Sequence, residues 1–281
     1  MFKNVIRKLV PGLVRFRRDI KNLMSIYDMQ LAAQMYKRQA DHQNPLCRFG
    51  KKCYSQTDED GLTIEIVKRL GIDKGTFAEF GVGDGTENNS LILLALGWSG
   101  FWVGGEELVI DISEADRLYY EKAWITNLNC CDLYNRGLQH HGISNVDVLS
   151  LDLDGNDLFF CESLLQSGAS PALFIVEYNA KFPPPVRFSI DYDPENIWNY
   201  NDYQGASLMS FVDLFKKNGY TLICCNAASG ANAFFVKNKY KDFFPEVPSD
   251  VDRIYTPPHF HLFGDYGHPP SIKTIQGIIK N

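Results

Sequence analysis

Three glycines at alternate positions follow a short apolar segment that carries an acidic residue near its end. The acid is Glu79, and Gly81, Gly83 and Gly85 come after it. Glycine adopts positive φ angles and lacks a Cβ, so a ligand can approach its backbone closely. A helix predicted to begin near Asn89 adds free N–H groups and the positive end of a dipole. The pattern predicts a nucleotide site at a strand-to-helix turn, and its spacing misses the dinucleotide sequence G-x-G-x-x-G by one residue.

Oxygen ligands follow two later apolar segments of the chain. Asp152 and Asp154 come after the fourth predicted strand, and Glu177 and Asn179 end the fifth. Ligands of open α/β sheets bind beyond the carboxyl ends of the strands, where these residues meet. Because such oxygens suit Mg²⁺ or Mn²⁺, Asp152, Glu177 and Asn179 are predicted to hold a divalent cation. In the metal-free alternative, Asp152 or Asp154 binds a substrate hydroxyl or acts as the general base.

Two further positions complete the candidate site. Glu106 ends the second predicted strand, at the distance downstream where an acidic residue bonds ribose hydroxyls, and Glu107 is the alternative. His259 and His261 lie between two proline pairs late in the chain. An imidazole can accept a proton from a hydroxyl group near neutral pH. His261 is therefore a candidate catalytic base alongside Asp154, and the alternative is a packed or surface histidine.

Several motifs together resemble the FkbM-like methyltransferases. An acidic residue before G-x-G-x-G looks like the first motif of class I S-adenosylmethionine-dependent methyltransferases in general. The segments similar to the FkbM-like family are residues 54–56, 59–60, 81–90, 96–100, 146–157, 176–179, 205–208, 218–220 and 232–235. The resemblance covers about residues 53–237. Gly104 and Gly105 before Glu106 depart from the family pattern, which has an apolar residue followed by an acid and a proline.

The resemblance implies methyl transfer from S-adenosylmethionine, most often to oxygen, on a small-molecule, sugar or glycan-related acceptor. The residues that it assigns to the cofactor are Gln56, Glu79, Gly81, Gly83, Gly85, Asn89 and Glu106. In this interpretation Glu79 pairs with the cationic end of the methionine part. Two alternatives stay open. One is a metal-dependent glycosyltransferase that uses Asp152 and Asp154, and the other is a non-catalytic methyltransferase-like binding domain.

The elements that must position these residues alternate between strand and helix. Strands are predicted over 76–80, 100–103, 123–127, 146–151, 172–176, 220–225 and 233–236, and helices over 58–70, 89–96, 111–123 and 207–217. The alternation predicts a doubly wound, mostly parallel Rossmann-like sheet. The short connection between the last two strands predicts an antiparallel pair at one edge. A methyltransferase domain is expected over 46–281 after a helical extension over 1–45, with a linker over 41–53.

The N-terminal extension differs in charge from the rest of the chain. The first forty residues contain nine Lys or Arg against two Asp, although the whole chain has a net charge of −6. Apolar residues at helical spacing predict a basic amphipathic helix, which Pro11 is expected to kink or divide. Such a helix either contacts an anionic membrane surface peripherally or packs on the domain or on a second subunit, which would give a homo-oligomer.

Charge and cysteine content restrict the partners and the compartment. The acidic balance argues against a nucleic-acid partner. The seven cysteines include no C-x-x-C spacing, which favours free thiols in a reducing compartment. The N-terminus lacks the apolar core of a signal peptide. The chain is therefore expected to be cytoplasmic, with the inner face of the membrane as the site of any peripheral contact.

Overall fold

The computed structural model describes residues 2–198, 203–259 and 279, and the side chains from residue 12 onward within those ranges. The helices are α1 (Phe2–Asp41), α2 (Glu59–Arg69), α3 (Leu91–Ala95), α4 (Cys130–His141), α5 (Asp157–Gln166), α6 (Leu208–Lys217) and α7 (Val251–Ile254). The strands are β1 (Thr76–Phe80), β2 (Ser99–Gly104), β3 (Leu118–Lys122), β4 (Val148–Leu151), β5 (Leu173–Glu177), β6 (Tyr220–Cys225) and β7 (Asn232–Lys237). Two 3-10 helices span Pro45–Phe49 and Asn238–Phe243.

The seven strands form one sheet in the order β3-β2-β1-β4-β5-β7-β6. Strands β1 to β5 are parallel, whereas β7 runs antiparallel between β5 and β6. The strand order reverses between β1 and β4, which is the point where open α/β sheets bind ligands. The predicted fold class is confirmed, because this is the doubly wound Rossmann-like sheet of class I methyltransferases with its antiparallel pair at one edge.

Alternating side chains of the central strand divide the core between the two faces of the sheet. Phe77 packs in the cluster that contains α2 and α3, while Ala78 and Phe80 pack in the cluster that contains α4, α5 and α6. Successive side chains of a strand point to opposite faces. Glu79 therefore points toward the face that carries α3. Its carboxylate is buried there, with only 3% of the residue's surface exposed.

The prediction for the chain between β2 and α4 was wrong. A helix was expected over 111–123 and a strand over 123–127, but the third strand is β3, which pairs in parallel with β2 at the edge of the sheet. Tyr119 and Tyr120 are half-buried in β3, and the Tyr120 hydroxyl donates to the Gly104 carbonyl at 3.1 Å. Tyrosine favours strands, and the pairing with β2 determines where the strand lies.

The expected linker over 41–53 is instead part of the packed domain. Leu46 and Cys47, in the first 3-10 helix, are fully buried. Asn44 caps that helix by accepting from the Leu46 N–H, and its side-chain amide donates to the Ile223 carbonyl of β6 at 2.7 Å. These contacts join the end of α1 to the sheet.

Helix α1 is continuous through Pro11, so the proline does not divide it. Leu31, Met35 and Gln39 are buried against the domain, whereas every residue from 12 to 27 is exposed. Only the last third of the helix is therefore docked. Among the helices within the described residues, none is both long enough and apolar enough to cross a bilayer.

Candidate active site

The glycine loop, residues 81–90, connects β1 to α3. Gly81, Gly83 and Gly85 all have positive φ angles, of 92°, 50° and 86°. A Cβ at Gly81 would lie 1.7 Å from the Asp152 carbonyl oxygen, and one at Gly85 would lie 3.0 Å from Leu108. A Cβ at Gly83 would meet no atom of the described chain within 4 Å. Packing therefore requires glycine at position 81, the positive φ favours it at position 85, and Gly83 faces space that a ligand can fill.

Glu79 fixes the far end of the glycine loop. One carboxylate oxygen accepts the Asn89 N–H at 2.8 Å, and the other accepts the Ser90 N–H at 2.9 Å and the Ser90 hydroxyl. Trp102 donates its indole N–H to the same hydroxyl at 2.8 Å. Burial raises the pKa of Glu79, and these donors oppose that shift. The contact of Glu79 with the cofactor's cationic end is not among these interactions and stays a prediction.

Two asparagines of the glycine loop differ in how their polar atoms are satisfied. Asn89 donates its side-chain amide to the Ser150 hydroxyl of β4 at 3.1 Å, which clamps the loop to the sheet. The side-chain oxygen of Asn88 is buried and accepts no hydrogen bond from the described residues. Buried acceptors nearly always have a partner. Asn88 therefore offers an acceptor that a ligand or a water can satisfy, and no sequence motif pointed to it.

The two candidate acids after β2, Glu106 and Glu107, differ in their interaction partners. Glu107 forms an ion pair with Lys122, whose ammonium lies 2.6 Å away. Glu106 is exposed, and no hydrogen bond or ion pair within the described ranges engages its carboxylate. Glu106 is therefore the acid that remains available to a ligand at this strand end.

Gln56 lies beside the glycine loop. Its carbonyl accepts from the Lys52 ammonium at 2.7 Å, and the same ammonium lies 3.5 Å from the Glu87 carboxylate. The Gln56 side chain is exposed. The structure thus brings the family-like segment 54–56 next to the glycine loop.

Three consecutive acids at the start of α2 are fully buried, which the sequence did not indicate. Asp58, Glu59 and Asp60 have the pattern of an ordinary acidic first turn, yet each is 0% exposed. One oxygen of Asp60 accepts the backbone N–H groups of residues 53, 54 and 55 at 2.6, 2.7 and 3.0 Å. Asp60 therefore shapes the segment that ends in Gln56.

The other two buried acids connect this segment to distant parts of the chain. Asp58 accepts from the Gln39 amide of α1 at 2.8 Å and from the Ala228 N–H at 3.1 Å. Glu59 accepts from the Asn226 amide at 2.8 Å. The partners lie up to 170 positions away in the sequence, so local sequence patterns could not reveal the burial.

The acidic trio, Asp152, Asp154 and Glu177, lies at the carboxyl ends of β4 and β5. One oxygen atom from each can be chosen so that all three lie within 4.8 Å of one another. Asp152 and Glu177 are half-buried, and burial followed by the neighbouring carboxylates raises the pKa of both. Asp154 is exposed and has a φ of 54°, which is uncommon outside glycine.

The trio only partly overlaps the predicted ligand set. Asp152 and Glu177 meet as expected, and Asp154, predicted as a base, joins them. The Asn179 amide donates to the Gln204 carbonyl at 2.9 Å, and its oxygen accepts the Lys181 N–H at 3.1 Å. Its role as a metal ligand stays a prediction.

Strand register places the trio directly beside the glycine loop. Phe80 of β1 is paired with Leu151 of β4, which is paired with Val176 of β5. The next residue of each strand or loop is Gly81, Asp152 and Glu177. Since neighbouring strands lie about 4.8 Å apart, the two groups of predicted site residues share one edge of the sheet.

The loop after β4 is held by its own residues and by the segment after β5. Asp157 accepts the N–H groups of Leu153 and Gly155 at 2.9 and 3.1 Å. Asn156 donates its amide to the Asp193 carbonyl at 2.7 Å, so residues of the segment 181–198 pack against this loop. The segment after β5 therefore contacts the loop that carries Asp154.

The remaining predicted base, His261, lies outside the described residues, so its role stays a prediction. The nearby His259 donates its backbone N–H to the Ser229 carbonyl at 2.7 Å. Burial, followed by the charge of Arg38, lowers the pKa of the His259 imidazole.

No protein-family model matches this chain, and no curated protein matches it. Among solved structures, the glycopeptide N-methyltransferase MtfA complexed with S-adenosyl-L-homocysteine is 15% identical over 67% of this chain and 93% of its own, with a TM-score of 0.36. An O-methyltransferase family 2 protein from Planctomyces limnophilus in complex with apigenin is 13% identical over 75% of this chain and 61% of its own, with a TM-score of 0.36. At these values the similarity carries no argument about function, and the fold assignment rests on the strand order.

The buried acids at the start of α2 predict that stability falls as the pH rises from about 4 to about 7. Burial raises the pKa of Asp58 to about 7 and that of Asp60 to about 6. The folded chain thus holds protons that the unfolded chain releases. This contribution is complete below the ordinary carboxyl pKa and is lost as the pH passes the raised values. Urea unfolding at a series of pH values measures it.

The control for this prediction is Asp58→Asn. Asparagine keeps an acceptor for the Ala228 N–H, and the Gln39 amide can turn its oxygen toward the new donor. We expect the variant to lose part of the pH dependence of the unfolding free energy. An identical pH dependence in both proteins would contradict the assignment to Asp58.

Proposed function

We propose that this protein is an S-adenosylmethionine-dependent methyltransferase that acts on a hydroxyl oxygen of a sugar or glycan-related acceptor. One observation carries the proposal. The open position at Gly83 and the acidic trio lie at the adjoining carboxyl ends of β1, β4 and β5. A site that binds a nucleoside beside a group able to remove a proton has what O-methyl transfer requires.

The cofactor side of the proposed site fits a nucleoside with an amino-acid tail. The cofactor supplies the electrophilic methyl group. The space before Gly83 accommodates its close approach to the backbone, the unpaired Asn88 oxygen is an acceptor for one of its donors, and exposed Glu106 can accept from ribose hydroxyls. Glu79 acts here by holding Asn89 and Ser90 in place rather than by an observed ligand contact.

The acceptor side of the proposed site is the acidic trio. Three octahedral oxygens around Mg²⁺, at about 2.1 Å from the ion, are separated by about 3 to 4.2 Å. The trio's oxygens lie within 4.8 Å of one another, so a small inward movement of the side chains would suit Mg²⁺ or Mn²⁺. The residues therefore fit a divalent cation, which would lower the pKa of an acceptor hydroxyl bound to it.

The metal-free version of the proposal uses the same residues as a base. Asp154 is exposed, whereas the neighbouring carboxyl groups of Asp152 and Glu177 are half-buried, which raises the pKa of both. Asp154 would then accept the proton of the acceptor hydroxyl, with His261 as the other candidate. Both versions place the acceptor oxygen at the carboxyl ends of β4 and β5.

The assignment to the FkbM-like family, and with it the glycan-related acceptor, is supported by the sequence motifs alone. The glycosyltransferase alternative would use Asp152 and Asp154 with a sugar nucleotide, but it gives the glycine loop no role. A non-catalytic binding domain would bind the cofactor without turnover on any acceptor. Titration with a sugar nucleotide and with S-adenosylhomocysteine distinguishes the glycosyltransferase from the proposed methyltransferase. An activity screen against hydroxylated glycans distinguishes the non-catalytic binding domain from it.

We expect S-adenosylhomocysteine to bind the wild-type protein and not Gly83→Leu. The leucine side chain would occupy the space in front of the loop, because no described atom lies within 4 Å of its Cβ position. The positive φ costs about 1–2 kcal/mol, so the variant is expected to fold. Isothermal titration calorimetry measures the binding.

The matched control is Gly71→Leu. Gly71 also has a positive φ, of 71°, with no neighbour within 4 Å of its Cβ position, but it lies beyond the end of α2, away from the loop. It should retain binding despite the same backbone strain. Tight binding of a UDP-sugar, with none of S-adenosylhomocysteine, would contradict the proposal.

A divalent cation is expected to raise the melting temperature of the wild-type protein but not that of Asp152→Asn/Glu177→Gln. Without a cation the double variant should be the more stable protein, since it removes two carboxyl groups held together in a half-buried position. At a concentration one hundred times its Kd, a bound ion stabilises by about 2.7 kcal/mol. Thermal scans with Mg²⁺, Mn²⁺ or a chelator measure both effects.

Glu162→Gln, an exposed substitution on α5, is the control for the loss of a surface carboxylate. It should respond to the cation as the wild type does. Equal shifts in the double variant, or methyl transfer that is unaffected by exhaustive chelation, would remove the metal and leave the metal-free version.

A further inference from the structure

The exposed part of α1, residues 12–27, carries a row of large apolar side chains. Leu13, Phe16, Ile20, Leu23 and Tyr27 recur at intervals of three and four residues, so they share one face of the helix. Their exposed fractions lie between 40% and 67%. Exposed apolar surface of this extent marks an interaction site. At 1.5 Å per residue the segment is about 24 Å long.

The same segment is strongly basic. Arg15, Arg17, Arg18 and Lys21 are exposed, and the single acid, Asp19, lies 4.0 Å from two of these arginines. The first forty residues have a net charge of +7, so the remaining 241 carry −13. The helix therefore presents an apolar face with positive charge around it on an otherwise acidic protein.

We propose that residues 12–27 bind the surface of an anionic lipid membrane, with the apolar face in the interface and the basic residues at the headgroups. Within the described ranges the buried positions of α1 begin only at Leu31, so residues 12–27 do not pack on that part of the domain. Membrane-surface helices combine a large apolar face with Lys and Arg on the polar face. This inference is independent of the proposed chemistry.

The charge distribution favours lipid over a second copy of the same helix. Paired helices usually place opposite charges beside the apolar seam. Two copies of this segment would bring eight basic side chains together with only two acids, both of which already lie near arginines of their own helix. Anionic headgroups supply the missing negative charge.

Docking of the last third of α1 gives the attachment a defined direction. Met35 and Gln39 are buried, and the Arg38 guanidinium donates to the Ala228 carbonyl at 3.2 Å. Ala228 in turn donates its N–H to Asp58, in the buried acid group at the start of α2. The helix is thus fixed to the framework next to the site, and a bound membrane would lie at a set position relative to it.

The test is co-sedimentation of the full chain with phosphatidylcholine vesicles that do or do not contain phosphatidylserine. We expect binding only to the anionic vesicles, and weaker binding at high salt. Arg17→Gln/Lys21→Gln should lower the partition coefficient about 30-fold, from the typical contribution of two basic residues. Phe16→Ser/Leu23→Ser should also release the protein, because the apolar face is lost.

Lys216→Gln/Lys217→Gln is the matched control, since it removes the same charge from exposed positions at the end of α6. It should bind like the wild type. Equal binding of both charge variants would contradict the proposal, as would no binding of the wild type to anionic vesicles at low salt. A dimer that dissociates on Phe16→Ser/Leu23→Ser, without vesicle binding by the wild type, would assign the face to a second copy and overturn the lipid assignment.

Discussion

The close approach of two loops is the constraint on which the candidate site depends. Gly81 follows β1 and lies so near the Asp152 carbonyl that a Cβ would sit 1.7 Å from its oxygen. The pairing of Phe80 with Leu151 makes the two loops leave the sheet side by side. Because residue 81 is a glycine, the loop after β1 can lie against the loop after β4. The open position at Gly83 and the acidic trio share one edge of the sheet for this reason.

The buried carboxylates fall into two groups that differ in their partners. Glu79 and Asp60 accept backbone N–H groups, and they hold the glycine loop and the segment before α2 in shape. Asp152 and Glu177 instead face one another and the carboxylate of Asp154. Carboxylates that accept several N–H donors suit a framework, whereas carboxylates that face each other are costly without a proton or a cation. The second group is therefore the one suited to chemistry.

Sequence patterns correctly predicted those strands whose position depends on their own residues and immediate neighbours. β1 and β6 were predicted with their observed bounds, because each is a short apolar segment beside Gly or Asn. β3 was missed because its place at the sheet edge depends on pairing with β2. The rule that ligands bind beyond the carboxyl ends of the strands correctly predicted that Asp152 and Glu177 meet. It did not predict that Asp154 joins them, and it could not reveal the hydrogen bonds of Asn179 with Gln204 and Lys181. It also could not reveal burial that depends on donors from distant loops.

The central claim is that the glycine loop and the acidic trio are two halves of one site. Nuclear magnetic relaxation of S-adenosylmethionine with an isotope-labelled methyl group, bound to the protein in the presence of Mn²⁺, tests it most directly. Relaxation by a paramagnetic ion falls steeply with distance. The account predicts strong broadening of the methyl signal in the wild type and none in Asp152→Asn/Glu177→Gln. A sharp methyl signal from the bound cofactor while Mn²⁺ occupies the acidic trio would contradict it.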